Sequence, residues 1–458
     1  MNVKGATMNP IATGSSVRIT PDQVHAALAK HMLADGFDFV LDLDKSKGVW
    51  LHDSRANKTL MDFFSFFASN PVGMNHPGMM APEFQARLLK AALHNVTNSD
   101  VYTTEMAEFV ETFARHAMGT TFTHSFFVAG GTLGIENALK AAFDWKVRKN
   151  FARGWRKERG AQVLHFEQAF HGRSGYTLSL TNTTDPRKVA YFPKFDWPRV
   201  TNPKVEFPLN EDRLADVKKR EALAVAQMER AFEQNADDIA AIIIEPIQGE
   251  GGDNHFRPEF FRELRRIADE RGAMLVFDEV QAGFGLTGKF WSFEHFGVTP
   301  DMVGFGKKSQ ICGFVSTKRI DDVPDNVFQV SSRINSTWGG TLVDMVRSQR
   351  YLEIMSEERL VENAATRGAE LLAGLESLAK EFPEHVTNAR GKGLMCAFDL
   401  RDGKLRDQVI ANAYELGVVV LGCGATSIRF RPPLIISKDE IAGGLEKFRS
   451  SIKKAIGR

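Results

Sequence analysis

Cysteine is nearly missing: Cys312, Cys396 and Cys423 are the 3 that occur in 458 residues. They show no paired spacing, which argues against a disulfide framework and a cysteine-based zinc site. The 12 histidines are scattered without ligand spacing, so no metal is expected. An excess of charge of one sign is also missing. A formal net charge of +1 gives no electrostatic reason for a nucleic-acid or membrane-surface partner. No apolar run approaches the roughly 20 residues that cross a bilayer. Residues 1–20 lack the continuous apolar core of a secretion signal and read as a short, partly flexible arm. These shortages fit a reducing cytoplasm. What is plentiful is phenylalanine, 35 against 5 tyrosines, and filling the core is its expected use.

Between about residues 100 and 345, apolar runs alternate with amphipathic stretches and no internal repeat stands out. Strands are expected at 125–128, Gln162–Phe166, Ile239–Ile244, 273–277, 301–305 and 313–317. The run Ile239–Ile244 is almost wholly apolar, as a strand covered on both faces should be. Residues 133–149 predict an amphipathic helix with Leu133, Leu139, Ala142, Phe143 and Val147 near one face, and 258–271 predicts another helix. This order implies an α/β fold: a mostly parallel central sheet with helices on both faces. The expected division is residues 1–65 as an arm and part of a small domain, 66–345 as the large domain, and 346–458 as the rest of a smaller α+β domain.

Four short segments fall at expected strand ends, where open α/β sheets bind ligands. Gly130, Gly131 and Thr132 lie between a strand and a long helix, where free N–H groups and a hydroxyl suit a phosphate. Phe170, His171, Gly172 and Arg173 offer a ring for stacking on a heterocycle and a guanidinium for a carboxylate. An apolar strand ends in Asp278 and Glu279, acids whose desolvation needs a partner such as a protonated pyridine nitrogen. Val280 could then pack under that ring and Gln281 bond its phenolic oxygen. Gly306 precedes Lys307 and Lys308, placing an amine just past a buried strand. Each segment alone suits an ordinary turn, loop, solvated rim or surface. Together they supply what pyridoxal 5′-phosphate needs. The run Gly283, Gly285, Gly288 matches a dinucleotide fingerprint, but the acids before it would repel a pyrophosphate and no packed helix is expected after it.

With these motifs the chain resembles the class III (ω-amino) branch of pyridoxal-phosphate aminotransferases, of fold type I. The similarity runs over nearly the whole chain. Residues 135–146, 306–313 and 335–340 resemble the lysine-specific group within that branch. So do two departures from the wider branch: the run Leu133, Gly134, Ile135, Glu136 after Thr132, and Lys308, Ser309, Gln310 after Lys307. The resemblance implies that Lys307 forms the Schiff base, Asp278 faces the pyridine nitrogen, Gln281 lies near the phenolic oxygen and Phe170 stacks. It implies a phosphate cradle of Gly131 and Thr132, completed by Thr337 from the other subunit of a homodimer. For substrates it implies Arg173 for the distant carboxylate and Arg429 for the α-carboxylate of 2-oxoglutarate. Glu250 is then the acid that masks Arg429 in the first stage, on a loop whose glycines would let it move, and Asn335 is a weaker substrate contact. The implied reaction moves the ε-amino group of L-lysine to 2-oxoglutarate. It yields 2-aminoadipate 6-semialdehyde, which should cyclise to piperideine-6-carboxylate, and L-glutamate. Transamination of ornithine, acetylornithine or 4-aminobutyrate is the alternative. A decarboxylase or aminomutase on the same fold, and a nicotinamide-dependent dehydrogenase, are the more distant ones.

Overall fold

The computed structural model describes residues 17–458; residues 1–16 of the expected arm lie outside the described residues. Three strands come early: β1 (Leu41–Lys47), β2 (Trp50–Asp53) and β3 (Lys58–Asp62). Seven follow: β4 (His124–Val128), β5 (Gln162–Phe166), β6 (Arg199–Val200), β7 (Ile239–Ile244), β8 (Met274–Asp278), β9 (Met302–Phe305) and β10 (Cys312–Ser316). Five close the chain: β11 (Val386–Lys392), β12 (Met395–Leu400), β13 (Val418–Val419), β14 (Leu421–Cys423) and β15 (Ser427–Phe430).

The middle seven form one sheet in the order β4-β10-β9-β8-β7-β5-β6. Only β10 runs against its neighbours, pairing antiparallel with β4 and β9, so the sheet is mostly parallel, as expected. Its strands read as apolar because both faces are covered. Ile242 and Ile244 of β7 and Leu275 and Phe277 of β8 pack into one cluster with Phe260, Phe261 and Leu264 of the helix Pro258–Glu270. Ala241, Ile243, Met274 and Val276 point the other way, against Leu139, Ala142 and Trp145 of the helix Gly131–Ala152. Each such buried aliphatic side chain contributes about 1.5–3 kcal/mol. Phenylalanine fills the core as expected: Phe109, Phe113, Phe127 and Phe305 are mutually packed, with ring centres 5.0–6.0 Å apart. Phe67, Phe192 and Phe195 are exceptions, about half exposed.

A second core joins the two ends of the chain. Val49, Met61 and Phe63 pack with Leu371, Leu375, Phe398, Phe430 and Phe448. β13 extends the early sheet by pairing in parallel with β3, and β11, β12, β15 and β14 form a third sheet.

The helix Gly131–Ala152 departs from its expected pattern. It starts two residues earlier, Leu133 is exposed, and buried positions wrap around much of it, including Asn137, Asp144 and Lys146. Hydrophobic periodicity could not show this, because polar side chains are buried here by specific partners. Lys146 Nζ donates to the carbonyl of Gly272 at 2.7 Å. The helix also lies flush on β10: a Cβ on Gly134 would stand 2.7 Å from the carbonyl oxygen of Gly313. Alanine ordinarily favours a helix over glycine by about 1 kcal/mol. Here Gly134→Ala should destabilise instead, by about 1–3 kcal/mol, because the helix must lift off the sheet. A lower urea midpoint at unchanged slope would show it.

Candidate active site

The carboxyl ends of β4, β5, β7, β8 and β9 open onto one cavity of about 500 Å³. The turn after β4 brings Gly130, at φ +109°, to the start of the helix Gly131–Ala152. The first N–H groups of that helix have no preceding turn to bond. The loop after β5 brings Phe170 and His171; the ends of β7 and β8 bring Glu245 and Asp278; Val280 and Gln281 follow, and Lys307 comes from the end of β9. Of the residues expected from sequence at the site, Gly130, Gly131, Thr132, Phe170, Asp278, Val280, Gln281, Glu250 and Lys307 all line this cavity. An adjoining cavity of about 560 Å³ adds Arg173 and Arg429 to Phe170, Glu250, Gln281 and Lys307. Asn335 and Thr337 line neither: both are exposed, and the carbonyl of Thr337 accepts from Ser99 Oγ at 3.3 Å.

Lys307 has a left-handed backbone, φ +54°, after the extended Gly306. The following residues are fixed by Gln310, whose Nε2 donates to the carbonyls of Ser69 at 2.7 Å and Lys307 at 3.1 Å. Burial lowers the Lys307 amine to about 8, the Arg429 charge adding to the effect while Asp278 and Glu245 oppose it. Asp278 Oδ2 is 2.8 Å from His171 Nδ1, and Oδ1 accepts from the Val280 N–H at 3.1 Å. His171 Nε2 is buried without a partner among the described residues.

The two acids ending β8 have different uses. Asp278 faces the cavity. Glu279 turns away, and its oxygens accept from the N–H groups of Ser292 at 2.6 Å and Phe293 at 2.7 Å. Burial pushes it up to about 8, against the pull of those amides. Glu279 thus finds its partners in backbone amides, and only Asp278 is placed to meet a ring nitrogen. No long helix follows the glycines 283, 285 and 288, only turns and the short segment Ser292–His295, in keeping with rejection of the dinucleotide fingerprint. The glycines around Glu250 also serve a different end from mobility. A Cβ on Gly249 would collide with Gln281, and one on Gly251 with the carbonyl of Gln168. The backbone there is tied by Gly424 N–H to the carbonyl of Glu250 at 3.0 Å and by Arg390 to that of Asp253 at 2.9 Å.

Several further residues shape the site. Glu245 accepts from Phe170 N–H at 2.9 Å and Gly249 N–H at 3.1 Å, and burial raises it to about 7. It ends an apolar strand just as Asp278 does, so the same signal was there. Thr181 Oγ1 accepts from His171 N–H at 3.0 Å and donates to the carbonyl of Gly172 at 2.7 Å, pinning the Phe170 loop from ten residues away with no local signal. Lys308 is not a surface group: its buried Nζ donates to the carbonyls of Gln281 at 2.6 Å and Ala68 at 3.3 Å. Ala68 ends a turn, Ser65 to Ala68, whose four φ values are all positive, +38° to +64°, and whose Phe66 and Phe67 border the second cavity.

The family model Aminotransferase class-III matches residues 33–452. The chain belongs to the class III aminotransferases. It is 51% identical to an L-lysine-epsilon aminotransferase of Mycobacterium tuberculosis over 94% of this chain and 96% of the relative. A relative of the same name from Streptomyces clavuligerus is 49% identical, with 94% of each chain covered. Among solved structures, the lysine aminotransferase from M. tuberculosis in the internal aldimine form superposes with a TM-score of 0.93, at 51% identity, covering 95% of this chain and all of that one. The cofactor of this class III aminotransferase is pyridoxal 5′-phosphate, and the site passes its own test for it. Gly131 and Gly172 leave no room for side chains, a Cβ on the first standing 2.9 Å from Val280 and on the second meeting Thr132 Oγ1. The cradle is therefore lined by backbone donors and one hydroxyl. Asp278 has lone pairs beyond its two protein contacts, and the lowered Lys307 amine is unprotonated in part near neutral pH.

With an amine near 8, labelling of Lys307 by a small aldehyde and borohydride, in protein freed of cofactor, should rise with pH with its midpoint near 8. An ordinary lysine would have its midpoint near pH 10. Peptide masses should show Lys308 unlabelled, since its nitrogen donates to two buried carbonyls. An inflection near 10 would contradict the lowered amine.

Proposed function

We propose that the chain transfers the ε-amino group of L-lysine to 2-oxoglutarate, giving 2-aminoadipate 6-semialdehyde, which cyclises, and L-glutamate. The observation that carries this reading is the ion pair of Glu250 Oε2 with Arg429 Nη1, 3.2 Å long, in the cavity that also holds Lys307 and Arg173. An enzyme whose first substrate is an ε-amine has no α-carboxylate beside the reacting carbon. An open arginine there would capture the wrong anion, and Glu250 occupies it. The half-identical relatives named for lysine support the same choice of substrate.

When bound, pyridoxal 5′-phosphate supplies a carbonyl that carries the amino group and a ring that takes up electrons from the substrate carbon. Gly131 and Thr132 would hold its phosphate, with Thr337 of the partner subunit. Phe170 and Val280 would flank its ring, Asp278 would face the ring nitrogen and Gln281 the phenolic oxygen. His171 fixes the Asp278 carboxylate by its 2.8 Å contact. Lys307 Nζ takes the proton from the substrate carbon that bears nitrogen and returns one; an amine near 8 can do both close to neutral pH. Arg173, exposed at the cavity and 5.9 Å from the centre of the Phe170 ring, would bind the distant carboxylate of either substrate. Arg429 would bind the α-carboxylate of 2-oxoglutarate once Glu250 leaves it. Asn335 would contact substrate only as part of the assembled dimer.

A homodimer is part of this reading. Thr337 is exposed, and Trp338 beside it and Val101 and Tyr102 nearby form an apolar surface that a second copy would cover. We also propose residues 1–65 as an arm and part of a small domain, 66–345 as the large domain and 346–458 as the rest of the small domain, supported by the core that packs Val49, Met61 and Phe63 against residues after 346. The three cysteines are free and buried, which supports a cytoplasmic site. Among the described residues, no helix is long and apolar enough to cross a membrane.

Purified protein given L-lysine and 2-oxoglutarate should form glutamate and the cyclised semialdehyde. Glutamate formed only with ornithine, acetylornithine or 4-aminobutyrate would reject lysine as donor. Glu250→Ala should slow the lysine half-reaction more than the glutamate one, roughly tenfold more if the coupling lies in the usual range. Equal loss in stopped-flow traces of both would remove its masking role.

A further inference from the structure

Glu250 is held from two sides. While Oε2 accepts from Arg429, Oε1 accepts from Lys188 Nζ. The two cations come from different parts of the fold. Arg429 lies on β15. Lys188 ends the short turn Pro186–Lys188, capped by Asp185, whose side chain accepts from Arg187 N–H at 3.1 Å. Among the described residues, Glu250 is the only acid within ion-pair reach of either cation. Its side chain is 23% exposed, against 17% for Lys188 and 5% for Arg429. Lys188 and Glu250 both border the Arg429 cavity and a second, polar cavity of about 590 Å³ lined also by Arg187, Arg406 and Asp407. The carboxylate therefore borders both spaces, with one oxygen on each cation.

A mostly buried carboxylate does not leave its arginine freely, since its charge would then be left without a partner in a place that water reaches poorly. Lys188 removes that obstacle. A carboxylate already bonded to it keeps a cation after letting go of Arg429, so a side-chain rotation suffices and the tied backbone stays where it is. Lys188 also offsets the repulsion between Glu250 and an incoming carboxylate on Arg429.

We infer that Lys188 is the second seat of the Glu250 switch: it holds the carboxylate while Arg429 binds the oxo acid. The inference rests on the reading above that Glu250 masks Arg429. Lys188 is a positioning residue, acting through Glu250. The test uses holoenzyme and follows each half-reaction separately by the absorbance of the bound cofactor, in Lys188→Met, Lys188→Arg, Glu250→Gln and the double variant Lys188→Met with Glu250→Gln. In Lys188→Met the half-saturating concentration of 2-oxoglutarate should rise about tenfold more than that of L-lysine. That is the opposite bias to Glu250→Gln. Lys188→Arg should retain most of the 2-oxoglutarate affinity. In the double variant the loss with 2-oxoglutarate should disappear, because no acid is left to block Arg429. Equal changes with both substrates in Lys188→Met, a larger loss with lysine, or no change at all would overturn the inference. If Glu250→Gln itself affects both half-reactions alike, the masking reading falls. If Glu250→Gln shows its bias and Lys188→Met shows none, only the role of Lys188 falls.

Discussion

Desolvation of a single amine organises the site. Lys307 follows the buried strand β9 and is enclosed by the surrounding strand ends and by the loops carrying Phe170 and Gln281. That environment disfavours its charged form, and the nearby guanidinium of Arg429 adds to the effect. Asp278 and Glu245 oppose it from the ends of two adjacent parallel strands. The amine is thus balanced between two carboxylates and an arginine, all fixed by secondary structure. A sheet whose parallel strands end together can hold such a balance rigidly.

The same economy of charge extends outward. Asp278 is fixed by His171 and Glu245 by two backbone amides, and Arg431 is buried against Asp253 and bonded to Gln281 Oε1 at 3.3 Å. Each of these buried groups has a partner from another segment of the chain. The loops are therefore held to one another as well as to the sheet, and Glu250 adds a link of its own, with one oxygen on Lys188 and the other on Arg429.

The central sheet was legible because its strands are buried on both faces and so carry long apolar runs, Ile239–Ile244 most plainly. Lys307 and Asp278 were legible because a charged side chain just past such a run is costly without a purpose. Glu245 met the same criterion and was passed over for lack of a neighbouring motif. Other features had no local trace. Glu279 resembles Asp278 in sequence, and only the later turn at Ser292 shows that it caps backbone amides. Lys308 looks like a solvated lysine until Ala68 and Gln281 are seen to enclose it. Lys188 and Thr181 act across the fold, and the glycines around Glu250 permit close contacts that no single-chain pattern announces. What is set by the chain's own periodicity can be read from it; what is set by a distant partner cannot.

The turn from Ser65 to Ala68 carries one more consequence. Four successive residues with side chains occupy a left-handed helical geometry, which disfavours each by roughly 1–2 kcal/mol relative to the right-handed form. Glycine would sit there without that cost, yet two of the four are phenylalanines, and Phe67 lies 5.9 Å from the Arg429 guanidinium. A right-handed turn would aim these rings elsewhere. The surrounding bonds, from Asp62 at its start to Lys308 at its end, keep the mirror-image coil wound. The mouth of the cavity is thereby given two stiff aromatic walls, and part of the folding energy of the molecule is stored in their orientation.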